Sequence, residues 1–109
     1  MKLHRPESEV LRECLKYLKQ AGIFHIRMNV GAVKTESRFV RFGTPGCADI
    51  LIFVKNRVLG NIIHPVWAEC KSSVGKQSTN QIAFQKLVES EGHKYLTVRS
   101  VEELIEGLK

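Results

Sequence analysis

The chain has no stretch approaching the roughly 18 consecutive apolar residues that a membrane span requires, and its start, MKLHRPESEV, carries no apolar signal-peptide core. The expectation is an intracellular protein, in the cytoplasm or nucleoid of a host cell, with no membrane partner. Cysteine is scarce: Cys14, Cys47 and Cys70 are odd in number, far apart and form no C-x-x-C pair. That pattern argues against a disulfide framework and against a zinc site, so all three read as reduced, small, partly buried residues. There is no internal repeat, low-complexity tract or linker, which leaves the 109 residues as a single domain spanning 1–109. Acidic residues are also in deficit. Eleven Asp and Glu face 17 Lys and Arg, a net charge of +6. A surplus of that size in a small domain is the electrostatic footprint of a polyanion binder, although many small basic proteins bind no nucleic acid in particular.

What is present is the composition of an ordinary globular protein, 43% hydrophobic and 26% charged. Residues 7–21 (ESEVLRECLKYLKQA) read as an amphipathic helix with Val10, Leu11, Cys14, Leu15, Leu18 and Ala21 as its apolar stripe. Pro6 suits its first turn and Gly22 its exit. A strand over 23–30 follows, then a polar stretch from Gly31 to Ser37 and a short strand at 38–42. Gly43-Thr44-Pro45-Gly46 is a turn cluster. The run ILIFV after Asp49 predicts a central strand buried on both faces. KNRVLGN reads as a loop or ragged strand end. The next strand lies within 62–71, with Pro65 near its start. Ser78-Thr79-Asn80-Gln81 has the form of a capping box and opens a helix to about Glu91, ended by Gly92. A strand over 95–98 and a helix over 101–108, capped by Ser100, close the chain. Helix, three or four strands, helix, strand, helix describes an α/β domain around a mixed sheet.

Two segments carry the chemistry, PGCADILIFV and VWAECKSS. Residues two apart in a strand point to one face, so Glu69 and Lys71 share a face and Cys70 turns to the other. Alone, an E-x-K is most simply an ion pair at a solvated strand end. Asp49, heading a second buried strand, changes that reading. If the two strands pair, Asp49 and Glu69 converge on one hard cation. Such a pair suits phosphodiester hydrolysis assisted by Mg²⁺ or Mn²⁺, with Lys71 orienting water or stabilising charge at phosphorus. On the first helix, at about 100° per residue, Glu7 lies toward the apolar stripe and Glu9 falls on the solvated face. Glu7 is thus a possible third acid, or a plain complement to the helix dipole.

Together these residues resemble the core of the PD-(D/E)xK nucleases, and more narrowly the VRR-NUC (virus-type replication-repair nuclease) family. The resemblance runs through ESEV at 7–10, RMNVGA at 27–32, RFGTPGCADI at 41–50, AECK at 68–71, GKQSTNQIAF at 75–84 and EGHKYLTVRSVEE at 91–103. It implies an αβββαβ fold, Mg²⁺ or Mn²⁺ dependence and hydrolysis of DNA. Stand-alone members of this size are similar to small Holliday-junction resolvases, which implies a homodimer acting on branched DNA. By resemblance Asp49 and Glu69 match the metal-binding acids, joined by the backbone carbonyl of Cys70. Lys71 matches the catalytic lysine, Glu7 the helix acid and Gln81 a glutamine opening the following helix. Ala48 stands where a proline is common, with Pro45 displaced upstream. Gln81 keeps two readings, closing the capping box or serving the active site. Arg27 and Asn29, with His25 on their face, are candidates for the DNA backbone or for a polar edge strand. Lys34, Arg38, Arg41 and Lys76 flank the site as phosphate contacts or simply as solvated charges. Two other functions stay open: a basic nucleic-acid-binding module without catalysis, and a restriction-like nuclease cutting plain duplex.

Overall fold

Four strands form one mixed sheet, and the helices that cover it decide which strand ends are left open. In the computed structural model the described residues are 4–28, 31–34, 39–56, 58, 60 and 62–109; for 31–34 and 39–42 the description covers the backbone alone. The elements are α1 (Glu7–Gln20), β1 (His25–Arg27), β2 (Gly31–Lys34), β3 (Phe39–Phe42), β4 (Ile50–Asn56), β5 (Ile62–Cys70), α2 (Thr79–Ser90), β6 (Lys94–Val98) and α3 (Val101–Gly107). The main sheet has the order β1-β4-β5-β6, antiparallel except for the β5–β6 pair, and β2–β3 is a separate antiparallel hairpin. Set the hairpin aside and the sheet's elements arrive as α, β, β, β, α, β, with α3 appended.

Alternation along the strands separates two apolar clusters. Val66, Ala68 and Cys70 of β5 and Ile50 and Ile52 of β4 face Val10, Cys14 and Leu18 of α1 and Leu104 of α3. On the opposite face, Phe84 and Val88 of α2 pack on Tyr95 and Ala48, with Trp67 beside them. Burial of a Leu or Ile side chain contributes about 1.5–3 kcal/mol, so the first cluster, with all ten members at most 3% exposed, is the main anchor of the fold. Trp67 meets Phe84 edge-on at 5.1 Å and donates its Nε1–H to His93 Nδ1 at 2.9 Å, which satisfies its polar handle. Pro65 sits opposite Phe53 in the β4–β5 ladder. The Phe53 N–H points the other way, to Phe24 O at 3.0 Å. The missing N–H of Pro65 therefore falls on the side where β6, which begins to pair at Val66, has not yet arrived.

Several boundaries differ from expectation. Pro6 is the N-cap of α1 rather than a residue of its first turn. The strand expected over 23–30 is only His25–Arg27 in the described residues. Within the polar stretch at 31–37, Gly31–Lys34 is a strand that pairs antiparallel with Phe39–Phe42, Val33 standing opposite Val40 in the backbone register. Among the described residues five strands, not three or four, precede α2. β4 runs on to Asn56, since β5 pairs with it as far back as Ile62. The ILIFV run is not buried on both faces. Ile50 and Ile52 are fully buried, but Leu51 and Phe53 are half-buried and take no part in the α2 cluster of Ala48, Phe84, Val88 and Tyr95. Ser78, Gly92 and Ser100 hold the helix ends as their sequences predict, and the three cysteines are free. Among the described residues no helix is long and apolar enough to cross a membrane.

Candidate active site

Antiparallel pairing brings the start of β4 and the end of β5 to the same edge of the sheet. Ile50 stands opposite Ala68, so the same register sets Asp49 across from Glu69 and Ala48 across from Cys70. Where the β4 backbone has left the ladder, the carboxylate of Asp49 takes over: its Oδ2 accepts the Cys70 N–H at 2.7 Å. A strand residue presents its N–H and C=O at the same edge, which turns the Cys70 carbonyl toward Asp49 as well. On β5 the alternation holds beyond the strand end. Lys71 Nζ reaches Glu69 Oε2 at 3.5 Å, while Cys70 faces the opposite cluster.

Glu69 is only 2% exposed. Its Oε2 accepts a short hydrogen bond from Gln81 Nε2 and faces Lys71. Its Oε1 is buried with no hydrogen-bond partner among the described residues. Burial, reinforced by the charge of Asp49 and opposed by Lys71, pushes the Glu69 carboxyl up from its ordinary 4.5 to about 7. Burial also raises Asp49, against the Cys70 N–H bond; Glu7 raises it further, while Lys71 and Arg27 lower it. Two neighbouring carboxyls held above their usual range, one with a vacant lone-pair direction, are a costly arrangement in a structural ion pair.

Gln81 performs both of the tasks its sequence context allowed. Its Oε1 accepts the Ser78 N–H at 2.8 Å and its N–H donates to Ser78 Oγ at 3.2 Å, completing the capping box. The other end of the same amide, Nε2, holds Glu69. Glu7 is more exposed than its helical register suggests, with 54% of its side chain accessible, yet its Oε1 faces Lys71 Nζ at 3.9 Å. Glu9, expected on the solvated face, is half-buried. A residue in the first turn of α1 thus reaches Lys71 while staying largely open to solvent.

The structure thus brings together Asp49, Glu69, Lys71, Gln81, Glu7 and the backbone of Cys70. Arg27 is exposed but close enough to act on Asp49 electrostatically. His25 is held by the segment that leads into its strand, with Nδ1 on Ile23 O at 2.8 Å. Lys76 is exposed, with no contact to the acids. Asn29 and Arg38 lie outside the described residues, as do the side chains of Lys34 and Arg41. Among the described residues no three His, Cys, Asp or Glu side chains form a group that could hold a metal ion. The donors that fit a hard cation are two carboxylates, Asp49 and Glu69, plus the Cys70 carbonyl. Glu7 is directed to Lys71 instead.

Two residues that support the site have no motif of their own. Gly46, at φ +77°, lies against the first turn of α2, and a Cβ there would sit 2.2 Å from Asn80 O. That contact docks the Gly43–Ala48 approach to Asp49 onto the helix that carries Gln81. The sequence marks a turn at this place but not the close approach. Arg99 donates from Nη1 to Ser72 O at 2.6 Å and to Gly75 O at 2.8 Å, just beyond Lys71; nothing in an isolated arginine after a strand signals this.

No family model, no curated protein and no solved structure matches the chain.

Proposed function

We propose that this chain is a metal-dependent endonuclease that hydrolyses phosphodiester bonds in DNA, built on a PD-(D/E)xK-type core. The observation that carries the reading is the buried Glu69, with Oε1 unpartnered, beside Asp49 and Lys71. A Mg²⁺ or Mn²⁺ ion, when bound, supplies charge neutralisation at the phosphate and lowers the pKa of the attacking water. Asp49, Glu69 and the Cys70 carbonyl would hold it. Each acid has one oxygen already tied, Oδ2 of Asp49 to Cys70 N–H and Oε2 of Glu69 to Gln81. Those bonds fix the carboxylate planes, the support that metal-ligating acids need. Lys71 remains a fixed donor beside the acids, suited to orient water or to meet the charge that gathers on the phosphate oxygens. Glu7, by its attraction for Lys71, keeps that ammonium at the mouth of the site.

The order α, β, β, β, α, β of the sheet elements supports the same core. The net charge of +6 supports a polyanionic substrate. A binding module without catalysis gains nothing from carboxylates held above their usual range. Branched DNA is the proposed target, Holliday junctions included. A homodimer would present two equivalent sites to a substrate of approximate two-fold symmetry.

The deciding experiment incubates labelled four-way junctions, flaps, bubbles and plain duplex with the protein, with and without Mg²⁺ or Mn²⁺. Cleavage of branched substrates that needs the cation and stops with EDTA is expected. Undiminished cleavage in excess chelator would sink the metal mechanism, and preference for plain duplex would sink the branched target.

A further inference from the structure

Lys71 stands one residue past the end of β5, where a side chain is ordinarily free to sample solvent, yet it is only 7% exposed. Two features of the chain beyond it account for that. The backbone is still tied to the sheet, Lys71 N–H donating to Val98 O at 2.9 Å. The next residues then turn back: Gly75 N–H donates to Ser72 O at 3.3 Å, closing a tight turn. The turn lies over the alkyl stem of Lys71, and a Cβ added to Gly75 would be 3.5 Å from Lys71 Cδ.

That turn is clamped from one side. Arg99 spans it, Nη1 reaching both Ser72 O at 2.6 Å and Gly75 O at 2.8 Å. The base of Arg99 is itself fixed, because its N–H donates to Glu103 Oε1 at 2.8 Å while Ser100 caps α3 through Glu103 N–H at 3.2 Å. A rigid route therefore runs from the first turn of α3, through the Arg99 guanidinium, to the turn that sheathes Lys71. We infer that Arg99 is a positioning residue for Lys71, holding the Ser72–Gly75 turn so that the ammonium stays aimed at Glu69 and Glu7. The catalytic part of this inference rests on the nuclease reading; the geometric part does not.

The test pairs a chemical and a kinetic measurement on the full chain. Lys71 acylation by a small amine-reactive reagent is followed by peptide mass spectrometry, with the exposed Lys16 as internal reference. In Arg99→Ala, Lys71 labelling relative to Lys16 should rise several-fold. On the best DNA substrate kcat should fall by about 10-fold or more with KM little changed, as misplacement of a transition-state group requires. Arg99→Lys, which keeps a donor near both carbonyls, should recover part of both losses, and it carries the measurement if Arg99→Ala does not fold. Unchanged Lys71 labelling in a folded variant overturns the inference, even if the melting temperature drops. Raised labelling with unchanged kcat overturns its catalytic part. A wild-type protein that cuts no DNA overturns the nuclease reading, while the labelling still decides whether Arg99 controls Lys71.

Discussion

A carboxyl that keeps its proton to near neutrality inside the fold makes stability depend on pH. Glu69 is pushed up to about 7 from an ordinary 4.5, so between those values the folded protein holds more protons than the unfolded chain. Stability then falls as pH rises through that window. The loss is absent below the ordinary value, complete above about 7, and totals about 3 kcal/mol at 1.36 kcal/mol per pH unit. Urea midpoints in EDTA should thus be lower at pH 8 than at pH 5, and Glu69→Gln should remove much of that slope. Midpoints with equal slopes in wild type and variant would show that Glu69 is ionised at no such cost. A second test separates the roles of its neighbours. Lys71→Ala should depress turnover while leaving junction binding nearly intact, because its proposed contribution is to the transition state. Asp49→Asn should lower both cation binding and turnover. Wild-type turnover in Lys71→Ala would reduce Lys71 to a strand-edge charge. These acids and the lysine were legible in the sequence because strand alternation fixes Glu69 and Lys71 on one face and antiparallel pairing fixes Asp49 beside them. Arg99 was not, because its partners are backbone carbonyls some 24 to 27 residues away in sequence, and a carbonyl has no side-chain signature.

Elements were legible where local chemistry decides them. The α2 start follows from Ser78 and Gln81 alone, and the structure has both halves of the capping box. Ser78→Ala should cost about 1 kcal/mol of stability with little effect on turnover. Gln81→Ala should cost comparable stability and also slow cleavage, since it frees Glu69 Oε2. Equal turnover in the two variants, measured under saturating substrate, would confine Gln81 to its cap. The hairpin Gly31–Phe42 was half missed, because strand pairing is a property of two segments and the first reads as polar on its own. Gly46 shows the same limit. Its φ of +77° could belong to any turn, but the 2.2 Å approach to Asn80 O depends on where α2 docks. Gly46→Ala should destabilise by about 1–3 kcal/mol through overpacking in addition to backbone strain. Gly22→Ala, with open space around it at φ +69°, should show only the strain of about 1–2 kcal/mol. Chemical denaturation of both variants checks this, and equal losses would mean the Gly46 contact yields freely.

At the scale of the whole molecule, charge and the number of copies set what the site can engage. The excess of six positive charges over 109 residues is a surface property, readable from composition, but composition does not say where the charges stand. The fold places Arg27 near Asp49 and Lys76 just after the turn that follows Lys71, both exposed. Charges at those places would meet phosphates on either side of the acids. Binding to a junction should then release counterions and weaken steeply with salt. Six or more neutralised phosphates imply a fall of roughly 10³-fold or more in affinity between 50 and 200 mM. Arg27→Ala and Lys76→Ala should each weaken binding to all sequences alike and lower the salt slope by about one. A homodimer would double the basic surface and set two sites against the two strands that must be cut to resolve a junction. Light scattering at micromolar concentration gives the mass of the free protein and of the complex, and a nicked-intermediate assay gives the order of the two cuts. The expectation is a dimer on DNA that makes both cuts within one binding event. A strict monomer that does the same would rule out the two-site arrangement, and a flat salt dependence would remove these basic residues from the substrate's path.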